Sequence, residues 1–110
     1  MFGMGGKSHQ EINAQDLAAM LDAGTAIVVD VREPDEFASG HVPGAVNLPL
    51  SAFNPDAVPS LDGKQVVLNC LGGKRSGMAL DKCAAAQAAI DTHLAGGFNA
   101  WAEAGLPVEN

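Results

Sequence analysis

The chain has 110 residues, with 13 acidic side chains against 6 basic ones, a formal net charge of −7, and 47% apolar residues. That length supports one domain with a single core and excludes large multi-site machinery, while the apolar content excludes a disordered chain. The negative charge argues against a general role on nucleic-acid phosphates or an anionic membrane, so any anion that is bound must be held locally.

Residues 1–9 mix glycines with isolated apolar groups and show no period, which predicts a flexible leader ahead of a domain spanning 10–110. From Asn13, the spacing of Leu17, Met20 and Leu21 predicts a short amphipathic helix with Asn13 as its N-cap, Asp16 in its first turn and Gly24 as its stop. The run Ala26-Ile-Val-Val-Asp30 predicts a strand buried on both faces, and Val66-Val-Leu-Asn69 repeats that form. Weaker strands are expected at Ala45–Asn47, after the turn signal Pro43-Gly44, and at Thr92–Ala95, which runs into Gly96-Gly97. Helical segments are expected at Pro34–Ser39, with proline in its first turn, loosely at Ser51–Val58, and at Ser76–Ile90. Strands alternating with helices predict a small α/β domain with a mostly parallel central sheet flanked by helices on both faces.

The longest apolar stretches, such as Cys83–Ile90, fall well short of the ~20 residues that a membrane span needs, and no export signal is evident, so a cytoplasmic location is expected. A reducing compartment leaves both cysteines as thiols, and two cysteines make no disulfide framework.

In a parallel sheet the reactive site belongs at the carboxyl ends of the strands. Two strand ends carry chemistry: Asp30-Val-Arg-Glu, and Asn69-Cys70-Leu-Gly-Gly-Lys-Arg-Ser76. Cys70 precedes a tight loop with two glycines that can turn backbone amides inward as an anion-binding nest, two cations in Lys74 and Arg75, and Ser76 placed to cap the next helix. Each feature favours a thiolate and together they can bring a cysteine from about 8.5 into the range ~3.5–7.5. A His-Cys-x5-Arg phosphatase loop needs its Arg six positions beyond the Cys; here residue 69 is Asn and Arg75 comes one position too early. The tighter ring of amides suits one extra sulfur on the cysteine better than a tetrahedral oxyanion.

Asp30-Val-Arg-Glu-Pro-Asp-Glu-Phe, Gly40-His-Val-Pro-Gly-Ala-Val-Asn, Cys70-x-x-Gly-x-Arg-Ser, and Gly96-Gly-Phe-x-x-Trp with Gly105-Leu-Pro-Val occur in that order. With these motifs the chain resembles a single-domain rhodanese (thiosulfate sulfurtransferase) over roughly residues 10–109. The resemblance implies a catalytic Cys70 that takes sulfane sulfur from thiosulfate or a persulfide and passes it, as a Cys70 persulfide, to cyanide, a small thiol or a protein thiol. It implies a substrate-binding loop of Leu71, Gly72, Gly73, Lys74, Arg75 and Ser76, with no metal and no cofactor. Two alternatives stand beside it: a sulfur carrier or interaction module on the same fold, and a phosphatase or arsenate reductase.

Other residues receive quieter roles. Asp30 and Arg32 are expected to brace the site through an ion-pair network that includes Glu36, with Arg32 also a candidate for orienting donor anions. His41 lies in a turn and is expected to be structural; His9 and His93 have no partner at ligand spacing. Cys83 falls about 10 Å along a helix starting at Ser76, too far to resolve a Cys70 disulfide, and shares a buried stripe with Leu80 and Ala84. Phe98 and Trp101 are expected to seal the core. Leu71 is less polar than residues often found there in the family, which weakens thiosulfate as the natural donor.

Overall fold

A computed structural model describes residues 9–59 and 63–110; residues 1–8, most of the expected leader, lie outside the described residues. The elements in chain order are β1 (Gln10–Ile12), α1 (Ala14–Ala23), β2 (Ala26–Asp30), α2 (Pro34–Ser39), β3 (Val46–Asn47), β4 (Gln65–Asn69), α3 (Lys74–Ala85), β5 (Thr92–Leu94) and α4 (Gly97–Glu103). Two 3₁₀ turns, Leu50–Ala52 and Pro55–Ala57, stand where one loose helical turn was expected.

The five strands form one sheet in the order β1-β5-β4-β2-β3, and every pairing is parallel. β2 and β4 run side by side with Ala26 opposite Gln65 and Asp30 opposite Asn69, so the two strand ends that carry the motifs finish at the same edge. Alternation along these strands divides the core into two layers. Val28 and Val67 pack with Leu17, Leu94 and Trp101 on the face covered by α1 and α4. Val29 and Leu68 pack with Ala79, Leu80 and Cys83 on the face covered by α3. Helices thus lie on both faces of the sheet.

α1 begins and ends where the sequence places it. The Asn13 side chain accepts from the Asp16 amide at 2.8 Å, and Gly24 closes the helix in a left-handed conformation at φ 74°. α3 corrects its expected limits at both ends. Gly73, at φ 111°, is its N-cap, so the helix opens at Lys74 and Ser76 lies inside the first turn instead of capping it. It stops at Ala85 because Gln87 turns left-handed at φ 58°; the Gln87 amide then donates to Ala84 and the Ala88 amide to Cys83, a Schellman closure. β1 and α4 were not foreseen. β1 is three mostly polar residues on a sheet edge, and α4 opens on a glycine pair that reads as a turn.

Candidate active site

Cys70 follows β4 directly and is 1% exposed. Its neighbours Leu71 to Gly73 form a tight bend into α3, and the Gly73 amide donates to Sγ at 3.0 Å. The Ser76 hydroxyl, fully buried, lies 3.5 Å from the same sulfur. Burial pushes the Cys70 thiol up, but the Ser76 hydroxyl and the backbone amides of Ser76, Gly73 and Gly72 outweigh it and hold the thiol below its ordinary value. Cys83, buried among aliphatic groups with no such donors, is pushed up by desolvation. The two thiols therefore differ in their surroundings: hydrogen-bond donors favour the ionised form of Cys70, whereas burial alone disfavours that of Cys83.

The loop keeps its shape because the carbonyls on its outer side are tied down. The Phe98 amide donates to the Cys70 carbonyl at 2.7 Å and the Asn99 amide to the Leu71 carbonyl at 3.0 Å, so the first turn of α4 holds the start of the loop. This approach requires Gly97: a β-carbon there would stand 2.5 Å from both carbonyl oxygens. With those carbonyls facing α4, the following amides are free to turn toward the sulfur.

The two cations of the loop have different fates. Arg75 reaches back to α2 and forks onto Glu36, Nη1 to Oε1 at 2.7 Å and Nη2 to Oε2 at 3.0 Å. The paired guanidinium holds the Glu36 carboxyl at about 2, assisted by the Glu33 amide and opposed by desolvation. The same pairing raises Arg75 above its usual value. Lys74 is exposed and makes no ion pair among the described residues.

Glu36 was expected to join Asp30 and Arg32, and here the structure corrects the expectation. Arg32, 3% exposed, donates through Nε and Nη2 to the Asp30 carboxylate at 2.9–3.1 Å, while Nη2 also reaches the Gly40 carbonyl at 2.7 Å. Its guanidinium lies 4.6 Å above the Phe98 ring, leaving Glu36 to Arg75. The pair is buried, and Arg32 Nε and Nη2 are both taken up by Asp30 and Gly40. Phe98 therefore meets a cation as well as the core, while Trp101 is buried and donates Nε1 to the Pro107 carbonyl at 2.7 Å.

His41 is structural: its Nδ1 donates to the Phe37 carbonyl at 2.7 Å, its ring stacks on Phe37 at 3.7 Å, and its backbone bridges to Glu109. His93 was passed over in the sequence, yet its Nδ1 is 2.8 Å from Ser76 Oγ. Its β5 position, 17 residues from Ser76, carries no local signal for that contact. Among the described residues no group of three His, Cys, Asp or Glu side chains could hold a metal, and no helix is long and apolar enough to cross a membrane.

An all-parallel α/β sheet carrying a cysteine in an amide-lined loop at the end of its central strand defines the class, and the comparisons name it. Residues 13–104 match the rhodanese-like domain, and the chain belongs to that family. It is 32% identical over 99 residues to a sulfurtransferase of Allochromatium vinosum, covering 89% of this chain and 92% of that protein. It is 43% identical over 101 residues to an uncharacterized protein of Synechocystis, covering 92% of this chain and 52% of that one. The chain spans about half the length of several of the curated relatives it matches. Among solved structures, a rhodanese-related protein of Thermoplasma volcanium superposes with a TM-score of 0.77 at 31% identity, covering 92% of this chain and 98% of that one. The chain's relatives in this family include proteins named as sulfurtransferases.

Proposed function

We propose that the protein is a persulfide-forming sulfurtransferase in which Cys70 is the nucleophile. The observation that carries this reading is the convergence of the Gly73 amide at 3.0 Å and the Ser76 hydroxyl at 3.5 Å on one sulfur whose pKa is lowered in spite of burial. A thiolate held this way attacks the outer sulfur of thiosulfate: the Cys70 S–S bond forms, the S–SO₃ bond breaks, and sulfite leaves with the electron pair. The product is a Cys70 persulfide whose terminal anionic sulfur takes over contacts with the amides of Gly72, Gly73 and Ser76. A cyanide ion or thiolate acceptor then attacks that terminal sulfur, leaving as thiocyanate or a persulfide and returning the Cys70 thiolate. No change in oxidation state of the protein is needed over a full cycle.

Leu71 to Ser76 form the substrate loop in this reading, and Asp30 and Arg32 support it from behind. Lys74 is the cation that attracts an anionic donor, because the Arg75 charge is already matched by Glu36. The same pairing leaves the phosphatase and arsenate reductase alternatives without the bidentate guanidinium that a tetrahedral oxyanion needs. Two free thiols accord with a reducing, cytoplasmic setting.

A second reading draws on Leu71, 40% exposed at the mouth of the loop. An apolar residue there favours a protein or organic thiol over a hydrated inorganic anion, as in a carrier that hands sulfur to one partner. Steady-state assays with thiosulfate and either cyanide or glutathione test both readings. Turnover that is lost in Cys70→Ala and kept in Cys83→Ala supports the enzyme; sulfur loading of Cys70 without turnover supports the carrier. Equal activity in wild type and Cys70→Ala contradicts both.

A further inference from the structure

The Ser76 hydroxyl has a single proton and three neighbours: Cys70 Sγ at 3.5 Å, the Gly73 carbonyl at 3.2 Å and His93 Nδ1 at 2.8 Å. The carbonyl and a thiolate can only accept. Nδ1 can do either, depending on which ring nitrogen carries the proton. If Nδ1 accepted, it would take the hydroxyl proton along the shortest of the three contacts, and the sulfur would face an oxygen lone pair. If Nδ1–H donates, the hydroxyl proton is left to Gly73 and the sulfur.

We infer that His93 is a positioning residue for Cys70, acting through Ser76: its Nδ1–H donates to Ser76 Oγ and so turns the hydroxyl proton toward the Cys70 thiolate. The inference rests on the reading of Cys70 as a thiolate nucleophile. Its geometry is built from three elements, with Cys70 at the end of β4, Ser76 in the first turn of α3 and His93 in β5. Ser76 is fully buried and His93 nearly so. The ring lies against α3 at Gly77, where a β-carbon would make an ordinary contact of 3.9 Å with His93 Cε1.

Among the described residues, the other titratable groups facing His93 are Glu11 of β1, whose Oε2 is 3.6 Å from Nε2, and His9, packed edge-on at 6.1 Å between centroids. Glu11 favours a proton on Nε2 and therefore competes with the proposed tautomer. Its contact is longer and its carboxylate largely hydrated, so the buried thiolate decides which nitrogen carries the proton. Desolvation lowers the His93 pKa, with Glu11 opposing and His9 adding to the effect, which favours the neutral ring, the form for which the tautomer matters.

The test uses the ultraviolet absorbance of the thiolate, which is clean here because the chain has no tyrosine. In a Cys83→Ala background, His93→Phe is expected to move the Cys70 inflection upward by roughly one pH unit, as Ser76→Ala does. The double variant should move it no further than Ser76→Ala alone, and His93→Asn, which keeps a side-chain N–H, should restore much of the difference. Long-range ¹H–¹⁵N spectra of the unaltered protein should show the proton of the neutral His93 ring on Nδ1, a readout that needs no variant to fold. A proton on Nε2 alone, or a Cys70 inflection that follows Ser76→Ala but ignores His93→Phe, overturns the role of His93. An ordinary alkaline inflection in wild type, unmoved by either substitution, overturns the thiolate reading with it.

Discussion

The backbone of Gly97 stands so close to the Cys70 carbonyl that a single added carbon would come within 2.5 Å of its oxygen. The glycine pair before α4 is thus a clamp on the loop that holds the sulfur. Gly97 also sits at φ 61°, where a side chain is strained even in open space. Gly97→Ala is expected to cost at least about 1–3 kcal/mol of stability from strain alone, with the clash added. Because the loop must shift to relieve it, Cys70 should also titrate closer to an ordinary thiol. Denaturant unfolding and thiolate absorbance check the two effects together.

Arg32 gives the opposite pattern. Its removal leaves Asp30 buried without its cation, so Arg32→Ala is expected to destabilise the fold by about 3–5 kcal/mol. As a brace that touches neither the sulfur nor the inward amides, it should leave the pKa of Cys70 within a few tenths of a unit in whatever protein remains folded. A large shift in that pKa would move Arg32 from the scaffold into the site.

The pairing of Glu36 with Arg75 has a pH signature. The carboxyl is held at about 2 in the folded chain against an ordinary 4.5, so the unfolded chain binds its proton first as pH falls. The stabilisation is fully present above about pH 4.5 and is lost between there and about pH 2. Both side chains are about one-third exposed, which limits the contribution to about 1 kcal/mol. Glu36→Gln should flatten the acid limb of the stability profile over that window, measured by denaturant midpoints at stepped pH. It should also lower the KM for thiosulfate, roughly several-fold, by leaving the Arg75 charge unmatched beside the loop.

The reactive loop was legible in the sequence because its signals are local: two glycines, two cations and a serine crowd within six residues of one cysteine. The central strands were legible for a similar reason, since Ala26–Asp30 and Val66–Asn69 are β-branched runs that a buried parallel sheet requires. What escaped depends on contacts across the chain. The partner of Ser76 is His93, on another strand, and the choice of Arg75 over Arg32 as partner for Glu36 is made by where α2 meets α3. α4 escaped because glycine, a poor helix former, is demanded at its start by the carbonyls of Cys70 and Leu71. The end of α3 escaped because Gln87 adopts a conformation that glycine ordinarily supplies.

Intact-protein mass spectrometry after exposure to thiosulfate, followed by cyanide, tests the central claim most directly. One sulfur atom, about 32 Da, should appear on Cys70 and on no other residue, then vanish when cyanide is added. A protein that gains no mass, or that carries the added sulfur on Cys83, would contradict it.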